Sequence, residues 1–415
     1  MSDAGSSSPS SSAPCPASRG KAGSAHQLVT RCAHAGARRR ESKFTNEPFQ
    51  APIAQSTIFD LGTAEDAEAI FSGARKGYAY SRFGNPSVDV FAEAIADLEG
   101  GAGAMVTSSG NAAVLCAVTS ALEGREGPLV THTDVYGGTF ELLGILSRIH
   151  RTSVEFVDPA DPGAWHGALA RAGAVLLETP SNPLMRLIDL RDTVDRARAV
   201  GAPVIVDNTV ATPFNQLPFQ CGADWVIHST SKYINGHSDM IGGCVVRREP
   251  LAPIHRAIHK NLGGTVNAID AWLVLRGLRT FPLRMEAHNR NGLSVAEWLA
   301  GRPEVARVFY PGLAAHPQAE LFRRQMKHGG ALLSFELAGG EPAARRFLDR
   351  VSLIVHAVSL GGMESLVTRP AMSSHRGMTP EARRSAGVSD GLIRLSVGVE
   401  ALEDLLADLE QALAG

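Results

Sequence analysis

Short apolar segments alternate with longer amphipathic segments through the middle of the chain, from about residue 85 to about residue 250. Short continuous apolar segments bounded by turn-forming residues are typical of strands buried in a parallel sheet. The amphipathic segments repeat apolar residues three and four apart, as Val88, Phe91 and Ile95 do. The predicted strands are residues 127–131, 172–177, 202–207, 223–228 and 241–247; the predicted helices include 88–98, 191–200 and a C-terminal helix at 402–413. This alternation predicts a doubly wound α/β architecture.

Two chemically distinctive residues follow neighbouring predicted strands. One strand ends in Asp207, and the next leads into a turn that runs from Ser229 to Lys232. Because open α/β sheets bind ligands at the carboxyl ends of their strands, we expect both side chains at one site. A desolvated lysine can act as an amine nucleophile, and Ser229 and Ser231 are suitable donors to an anion. A Schiff-base lysine, a phosphate site and an acid facing a ring nitrogen are what pyridoxal phosphate (PLP) requires.

Taken singly, each of these residues has an ordinary explanation. Lys232 could be a surface lysine after a strand, and Asp207 could cap a turn. The combination, with the lysine motif about 25 residues after the aspartate, is much more specific to a PLP site.

Length and composition narrow the class of protein. At 415 residues the chain suggests two or more domains. The net charge of −2 gives no electrostatic case for nucleic acid or an anionic membrane, and no apolar run reaches the ~18 residues of a membrane span. Five cysteines without C-x-x-C spacing favour reduced thiols and a cytoplasmic location, with no metal site. Residues 1–25, rich in Ser, Ala, Pro and Gly, are expected to be disordered.

Further motifs lie at other predicted turns and in a predicted strand near the C-terminus, residues 392–398, whose side chains are expected to alternate between buried and exposed. They are Tyr80-Ser-Arg82, Ser109-Gly-Asn111, Tyr136, Asn182 and Arg394. With these motifs, the chain from about residue 45 to its end resembles the Cys/Met-metabolism PLP enzymes. This trans-sulfuration family comprises cystathionine synthases and lyases, methionine γ-lyases and homoserine sulfhydrylases. The resemblance implies PLP as the cofactor and the aspartate-aminotransferase-like fold (fold type I), with a doubly wound, mainly parallel sheet and a smaller C-terminal α+β domain.

The resemblance also implies a role for each motif. Lys232 would bind PLP covalently and then transfer protons, and Tyr136 would stack on the cofactor ring and share in that transfer. Arg394 would bind the α-carboxylate of an amino-acid substrate, with Ser359 lining the same site. The alternative for Arg394 is a salt-bridged structural arginine. The further expected cofactor contacts are Tyr80, Arg82, Ser109, Gly110, Asn111, Asn182, Asp207, Thr209, Ser229 and Ser231.

The same resemblance implies an oligomer. Tyr80 and Arg82 would bind the cofactor phosphate of a partner subunit, so the site would need a dimer. A homotetramer, built as a dimer of dimers with shared active sites, is expected. The implied segments are a disordered tail (1–44), an arm contacting the partner (45–75), a large PLP-binding domain (76–265) and a small domain (266–415).

Departures from the family pattern bear on the reaction. Ser231 replaces a threonine, Gly138 replaces the reactive cysteine of methionine γ-lyases, and Val358 replaces a glutamate of many synthases and cystathionine lyases. The segment 262–267 is more similar to cystathionine synthases. We therefore expect γ-replacement like that of cystathionine γ-synthase, on an activated homoserine ester with cysteine or another thiol. The alternatives are γ- or β-elimination by a cystathionine or methionine lyase, giving a 2-oxo acid and ammonia, and a non-catalytic α/β binding protein.

Overall fold

The computed structural model describes residues 26–36, 48–377 and 379–414. The helices are α1 (Leu28–Ala33), α2 (Ala64–Phe71), α3 (Pro86–Glu99), α4 (Gly110–Leu122), α5 (Gly137–His150), α6 (Pro162–Leu169), α7 (Leu190–Ala199), α8 (Thr212–Asn215), α9 (Pro253–Leu262), α10 (Ala268–Leu278), α11 (Phe281–Ala300), α12 (Ala319–Gln325), α13 (Gly340–Arg350), α14 (Pro380–Ser385) and α15 (Leu402–Leu413). The strands are β1 (Gly103–Thr107), β2 (Leu129–His132), β3 (Val154–Val157), β4 (Ala174–Glu178), β5 (Val204–Asp207), β6 (Trp225–Ser229), β7 (Gly243–Arg247), β8 (Val305–Phe309), β9 (Leu332–Leu337), β10 (Val355–His356), β11 (Leu366–Thr368) and β12 (Leu392–Ser396). No helix among the described residues is long and apolar enough to cross a bilayer.

Seven strands form the first sheet, in the order β1-β7-β6-β5-β4-β2-β3. From β3 to β6 every neighbouring pair is parallel, as the alternating segments predict. β7 instead runs antiparallel to β6 and β1. The connection 230–242, which contains Lys232, has no crossover helix, so the chain returns in the opposite direction. The doubly wound, mainly parallel sheet is confirmed.

Helices cover both faces of this sheet. On one face α4 packs over apolar strand residues that include Leu176 and Ile205. On the other face α6 and α7 pack over Val175 and Val206. Since both faces are buried, polar side chains collect at the carboxyl ends of the strands.

The second sheet has five strands, in the order β10-β11-β12-β9-β8. α11 and α13 pack on it, and α15 packs against these two helices. The C-terminal helix is confirmed, with Leu405 and Leu409 buried. β12 was expected to alternate between buried and exposed residues, but all five of its residues are buried. The reason is its central place between β9 and β11. We propose that the long helix α11 connects the PLP-binding domain with the small domain.

The predicted tail, residues 1–44, requires a correction. Residues 28–33 form α1, whose Cys32 is fully buried in the main apolar core. Arg31 on the same helix is ion-paired with Asp97 of α3, at 3.1 Å. The prediction of disorder is therefore wrong for α1, because its apolar residues pack on elements distant in sequence. Residues 1–25 and 37–44 lie outside the described residues.

Candidate active site

Polar residues at the ends of β4, β5 and β6 lie side by side. Glu178 ends β4 and is paired in register with Asp207, which ends β5; Ser229 ends β6. Thr209 connects the last two. Its N–H donates to Asp207 Oδ1 at 3.0 Å, and its hydroxyl accepts from the Ser229 N–H at 2.8 Å. Three of the predicted site residues are therefore held together by hydrogen bonds.

The start of α4 faces the end of β6. A Cβ added to Gly110 would lie 2.8 Å from the Cβ of Ser229 and 3.1 Å from its hydroxyl oxygen, so only glycine leaves this space open. Ser109 caps the helix by accepting from the Ala112 N–H at 3.1 Å. Free N–H groups at a helix N-terminus favour an anion, and a serine hydroxyl can add a further donor. The chemistry of this cradle fits the phosphate of PLP.

Lys232 lies in the turn after β6 and contacts a loop that precedes β11. Its Nζ donates to Ser359 Oγ at 2.8 Å. Burial, with a smaller effect from the positive charge of Arg394, lowers the pKa of Lys232 to about 8. Ser359 has a φ of 103°, which non-glycine residues rarely adopt and which the surrounding structure must hold. A lysine with this pKa supplies a neutral, nucleophilic amine close to physiological pH, as covalent attachment of PLP requires.

Arg394 is a buried guanidinium beside this amine. Its Nη2 donates to the Ser359 carbonyl at 2.8 Å and its Nη1 to Asn182 Oδ1 at 3.4 Å. Its Nε has no hydrogen-bond partner among the described residues, and no described carboxylate forms a salt bridge with it. Burial lowers the pKa of Arg394 to about 10. Among the described residues Arg394 therefore has no salt-bridge partner, and its guanidinium is suited to a substrate carboxylate.

Glu178 is a site residue that the sequence motifs did not identify. Its Oε2 accepts from the Tyr136 N–H at 2.7 Å, and its side chain is buried beside Asp207. Burial and the charge of Asp207 raise the pKa of Glu178 well above its usual value. Burial also raises the pKa of Asp207, but hydrogen bonds from Thr209 lower it. Burial thus makes both carboxyl groups harder to ionise than usual, and a protonated ring nitrogen next to Asp207 would favour the charged form of Asp207.

Four of the predicted cofactor contacts form no hydrogen bond with Asp207, Ser229 or Lys232 and instead contact other residues of the chain. The hydroxyl of Ser231 accepts from the Gly242 N–H at 3.0 Å, and the side chain of Asn111 donates to the Gly138 carbonyl at 3.4 Å. Arg82 donates to the Lys260 carbonyl at 2.9 Å, and Tyr80 forms a β-bridge with Ile58. Both Tyr80 and Arg82 lie on an exposed segment of the chain. Their contact with a partner subunit stays a prediction.

The fold and the donor set together define the class: an enzyme that uses PLP on the aspartate-aminotransferase-like scaffold. The chain belongs to the family of Cys/Met metabolism PLP-dependent enzymes, which it matches over residues 29–414. This membership confirms the family, cofactor and enzymatic nature predicted from the motifs. The hypothesis of a non-catalytic binding protein is therefore wrong.

Named relatives include both synthases and lyases. Cystathionine gamma-synthase of Escherichia coli K12 is 44% identical over 337 residues, which cover 81% of this chain and 87% of the relative. L-methionine gamma-lyase of Fusobacterium nucleatum subsp. polymorphum is 42% identical over 366 residues, or 87% and 92% of the two chains. The crystal structure of cystathionine gamma synthase from Xanthomonas oryzae pv. oryzae, in complex with aminoacrylate and cysteine, has a TM-score of 0.86 and 42% identity over 94% of this chain and 98% of that one.

The lowered pKa of Lys232 leads to a pH-dependence prediction. In protein freed of PLP, the rate of covalent PLP attachment should increase with pH and level off above about 8, where the amine is neutral. Stopped-flow absorbance measures this rate. Replacing Arg394 with methionine removes a charge that lowers the pKa, so the curve should move to higher pH. A wild-type rate that levels off only near the ordinary lysine value of about 10 would contradict the prediction.

Proposed function

We propose that the enzyme catalyses γ-replacement, in which an activated homoserine ester reacts with cysteine or another thiol, as in a cystathionine γ-synthase. Relatives named cystathionine gamma-synthase, methionine gamma-lyase and cystathionine beta-lyase are 44%, 42% and 41% identical to this chain. Because these identities are so close, the choice depends on the local geometry of the site.

The main support is the space beside Tyr136. A Cβ added to Gly138 would lie 2.6 Å from Cε1 of the Tyr136 ring and 3.2 Å from its Cζ. Any other residue here, including the cysteine that the resemblance implies for methionine γ-lyases, would require the ring to move. The Tyr136 ring thus occupies the space that a cysteine side chain at residue 138 would need. This position of the ring supports a reaction other than that of a methionine γ-lyase.

The contacts at the site suggest how the chain promotes this reaction. When bound, PLP supplies an electron sink that acidifies the α- and β-carbons of an amino acid. The Arg394 guanidinium binds the α-carboxylate and so fixes the orientation of the substrate. Lys232 Nζ, which donates a hydrogen bond to Ser359 Oγ, accepts the proton from the α-carbon of the substrate and delivers it to another carbon of the substrate. The Tyr136 hydroxyl would take a proton from the β-carbon. The γ-substituent would leave as the free acid of the ester, with the proton that the thiol gives up as its sulfur bonds to the γ-carbon, and the protons removed from the substrate carbons would be returned to them. The carboxylate of Asp207 would keep the ring nitrogen of bound PLP protonated.

A second copy of the chain would complete the site. Residues of the arm expose large apolar side chains, with Phe49, Ile58 and Phe71 each about two-thirds exposed at 68%, 69% and 65%. Such a surface favours burial against a partner. We therefore propose a homotetramer of two dimers, in which Tyr80 and Arg82 reach the partner's phosphate cradle. Cys32, Cys116 and Cys244 are buried and form no disulfide with another described residue, which supports the cytoplasmic location that we also propose.

A product assay tests the proposed reaction. The purified enzyme is given O-acetyl-, O-succinyl- or O-phosphohomoserine with and without cysteine, and in parallel cystathionine or methionine alone, with detection by mass spectrometry. We expect cystathionine only when an ester and cysteine are both present, and the productive ester identifies the leaving group. A 2-oxo acid from cystathionine or methionine, without replacement, would overturn the proposal in favour of elimination.

A further inference from the structure

A carboxylate is buried on the face of the first sheet opposite the site. Glu99 ends α3, and its Oε1 lies 2.5 Å from His228 Nε2; both side chains are 0% exposed. The same oxygen accepts from Asn208 Nδ2 at 2.9 Å. Side chains alternate along a strand, so His228 shares the face of Val226, while Asp207 shares the opposite face with Ile205. We call Glu99, His228 and Asn208 the strand-end network.

The strand-end network connects the ends of β5 and β6, which carry the proposed cofactor contacts Asp207 and Ser229. Asn208 directly follows Asp207, and His228 directly precedes Ser229. On the cofactor face, Thr209 already connects these two strand ends through its hydroxyl and its N–H. Glu99 connects them on the other face. Two connections on opposite faces fix the separation of the strand ends and also their relative twist.

The amide of Asn208 is held from the other side as well. Its Oδ1 accepts from Gln216 Nε2 at 3.1 Å, and its Nδ2 also donates to the Gln216 carbonyl at 3.1 Å. With both polar atoms occupied, the side chain has little freedom to rotate. Movement of Glu99 would therefore be transmitted to the backbone next to Asp207.

Burial of the strand-end network costs free energy of folding. Glu99 Oε2 and His228 Nδ1 have no hydrogen-bond partner among the described residues. Buried ionisable pairs with incomplete hydrogen bonding often stabilise a fold less than apolar residues of similar size would. A contribution to fold stability is thus a poor explanation for its presence, whereas a contribution to the geometry of the adjoining site is a direct one.

We propose that Glu99 is a positioning residue for the cofactor: its carboxylate holds the ends of β5 and β6 at the separation that the ring nitrogen and the phosphate of PLP require. The inference rests on the roles proposed above for Asp207 and Ser229. Glu99 does not touch the cofactor and acts through Asn208 and His228. Its loss should therefore weaken PLP binding and alter the asymmetric environment of the bound ring.

The test compares Glu99→Ala and Glu99→Gln with Leu98→Ala. Leu98 is the neighbouring residue on α3, 2% exposed and part of the apolar core, so its truncation destabilises the same helix without removing a strand-end contact. The dissociation constant of PLP is measured by fluorescence quenching, and visible circular dichroism is recorded at saturating PLP. Outer-shell partners of metal ligands typically contribute about 10–100-fold in affinity, and we expect a similar increase in the dissociation constant for Glu99→Ala. Glu99→Gln, which keeps one acceptor oxygen, should recover part of the affinity, and Leu98→Ala should retain wild-type affinity and dichroism.

Equal PLP affinity in Glu99→Ala and Leu98→Ala, at a similar loss of Tm, would overturn the proposal and leave Glu99 a structural residue. If Glu99→Ala does not fold, Asn208→Ala removes the other end of the same contact, and an unchanged dissociation constant there has the same meaning. Ser229→Ala and Asp207→Asn are measured in parallel. If both bind PLP like the wild type, the site assignment itself has failed, and the proposal fails with it for that separate reason.

Discussion

Replacing Lys232 with alanine is expected to abolish the visible absorbance of lysine-bound PLP and to lower kcat by at least about 10⁴-fold, the upper range for a lost general acid–base group. The Nζ of Lys232 is the amine that Ser359 holds at 2.8 Å, and burial lowers its pKa to about 8. The substitution therefore removes both the attachment point and the proposed proton carrier. Absorbance spectra and kcat of the purified variant, incubated with excess PLP, measure the two losses separately.

The matched control is Lys327→Ala, which removes an exposed lysine that lies against Phe214. This variant should keep the visible spectrum and kcat of the wild type. Ser359→Ala, which removes only the hydroxyl that accepts from the amine, should keep the absorbance but lower kcat. An unchanged visible spectrum in Lys232→Ala would mean that another residue attaches the cofactor.

Local patterns were sufficient to predict the central elements and the residues at their ends. The apolar segment 202–207 corresponds to β5, Val204–Asp207, and the helix predicted at 88–98 is α3, Pro86–Glu99. These predictions succeeded because each depends on a few consecutive residues: a buried strand followed by a turn, or an apolar stripe with a glycine after it. Lys232 and Asp207 were recognisable for the same reason, since Asp207 ends an apolar strand and Lys232 lies in the turn after the next one.

Contacts between distant segments could not be predicted in this way. Glu178 lies beside Asp207 because β4 pairs with β5 in one particular register, which neither strand encodes alone. Glu99 reaches His228, 129 residues further along the chain, only because α3 packs on β1 and β7, next to β6 in the sheet. The helix α1 is stable because Cys32 fits a core formed by later elements. In each case the deciding interaction is a tertiary contact, and short-range propensity carries no information about it.

The buried Arg394 leads to the second large expected effect, on substrate binding. Arg394→Met should lower kcat/KM for the productive substrate by roughly 30-fold to 5,000-fold, corresponding to about 2–5 kcal/mol for truncating one partner of a buried, hydrogen-bonded charge pair. The visible spectrum of bound PLP should persist, since Lys232 remains. Arg394→Lys should recover only part of the activity, because an ammonium group cannot donate the two parallel hydrogen bonds of a guanidinium.

A substrate analogue distinguishes carboxylate binding from a structural role. In the wild type, an analogue without the α-carboxylate should react far more slowly than the substrate; in Arg394→Met this difference should largely disappear, because the group that recognises the carboxylate is gone. The control is Arg369→Met, which truncates an arginine that is 4% exposed but ion-paired with Glu341 at 2.9 Å. That variant should lose stability while it still discriminates against the analogue. If Arg394→Met slowed both compounds equally, the guanidinium would be maintaining the Ser359 loop rather than binding the substrate carboxylate.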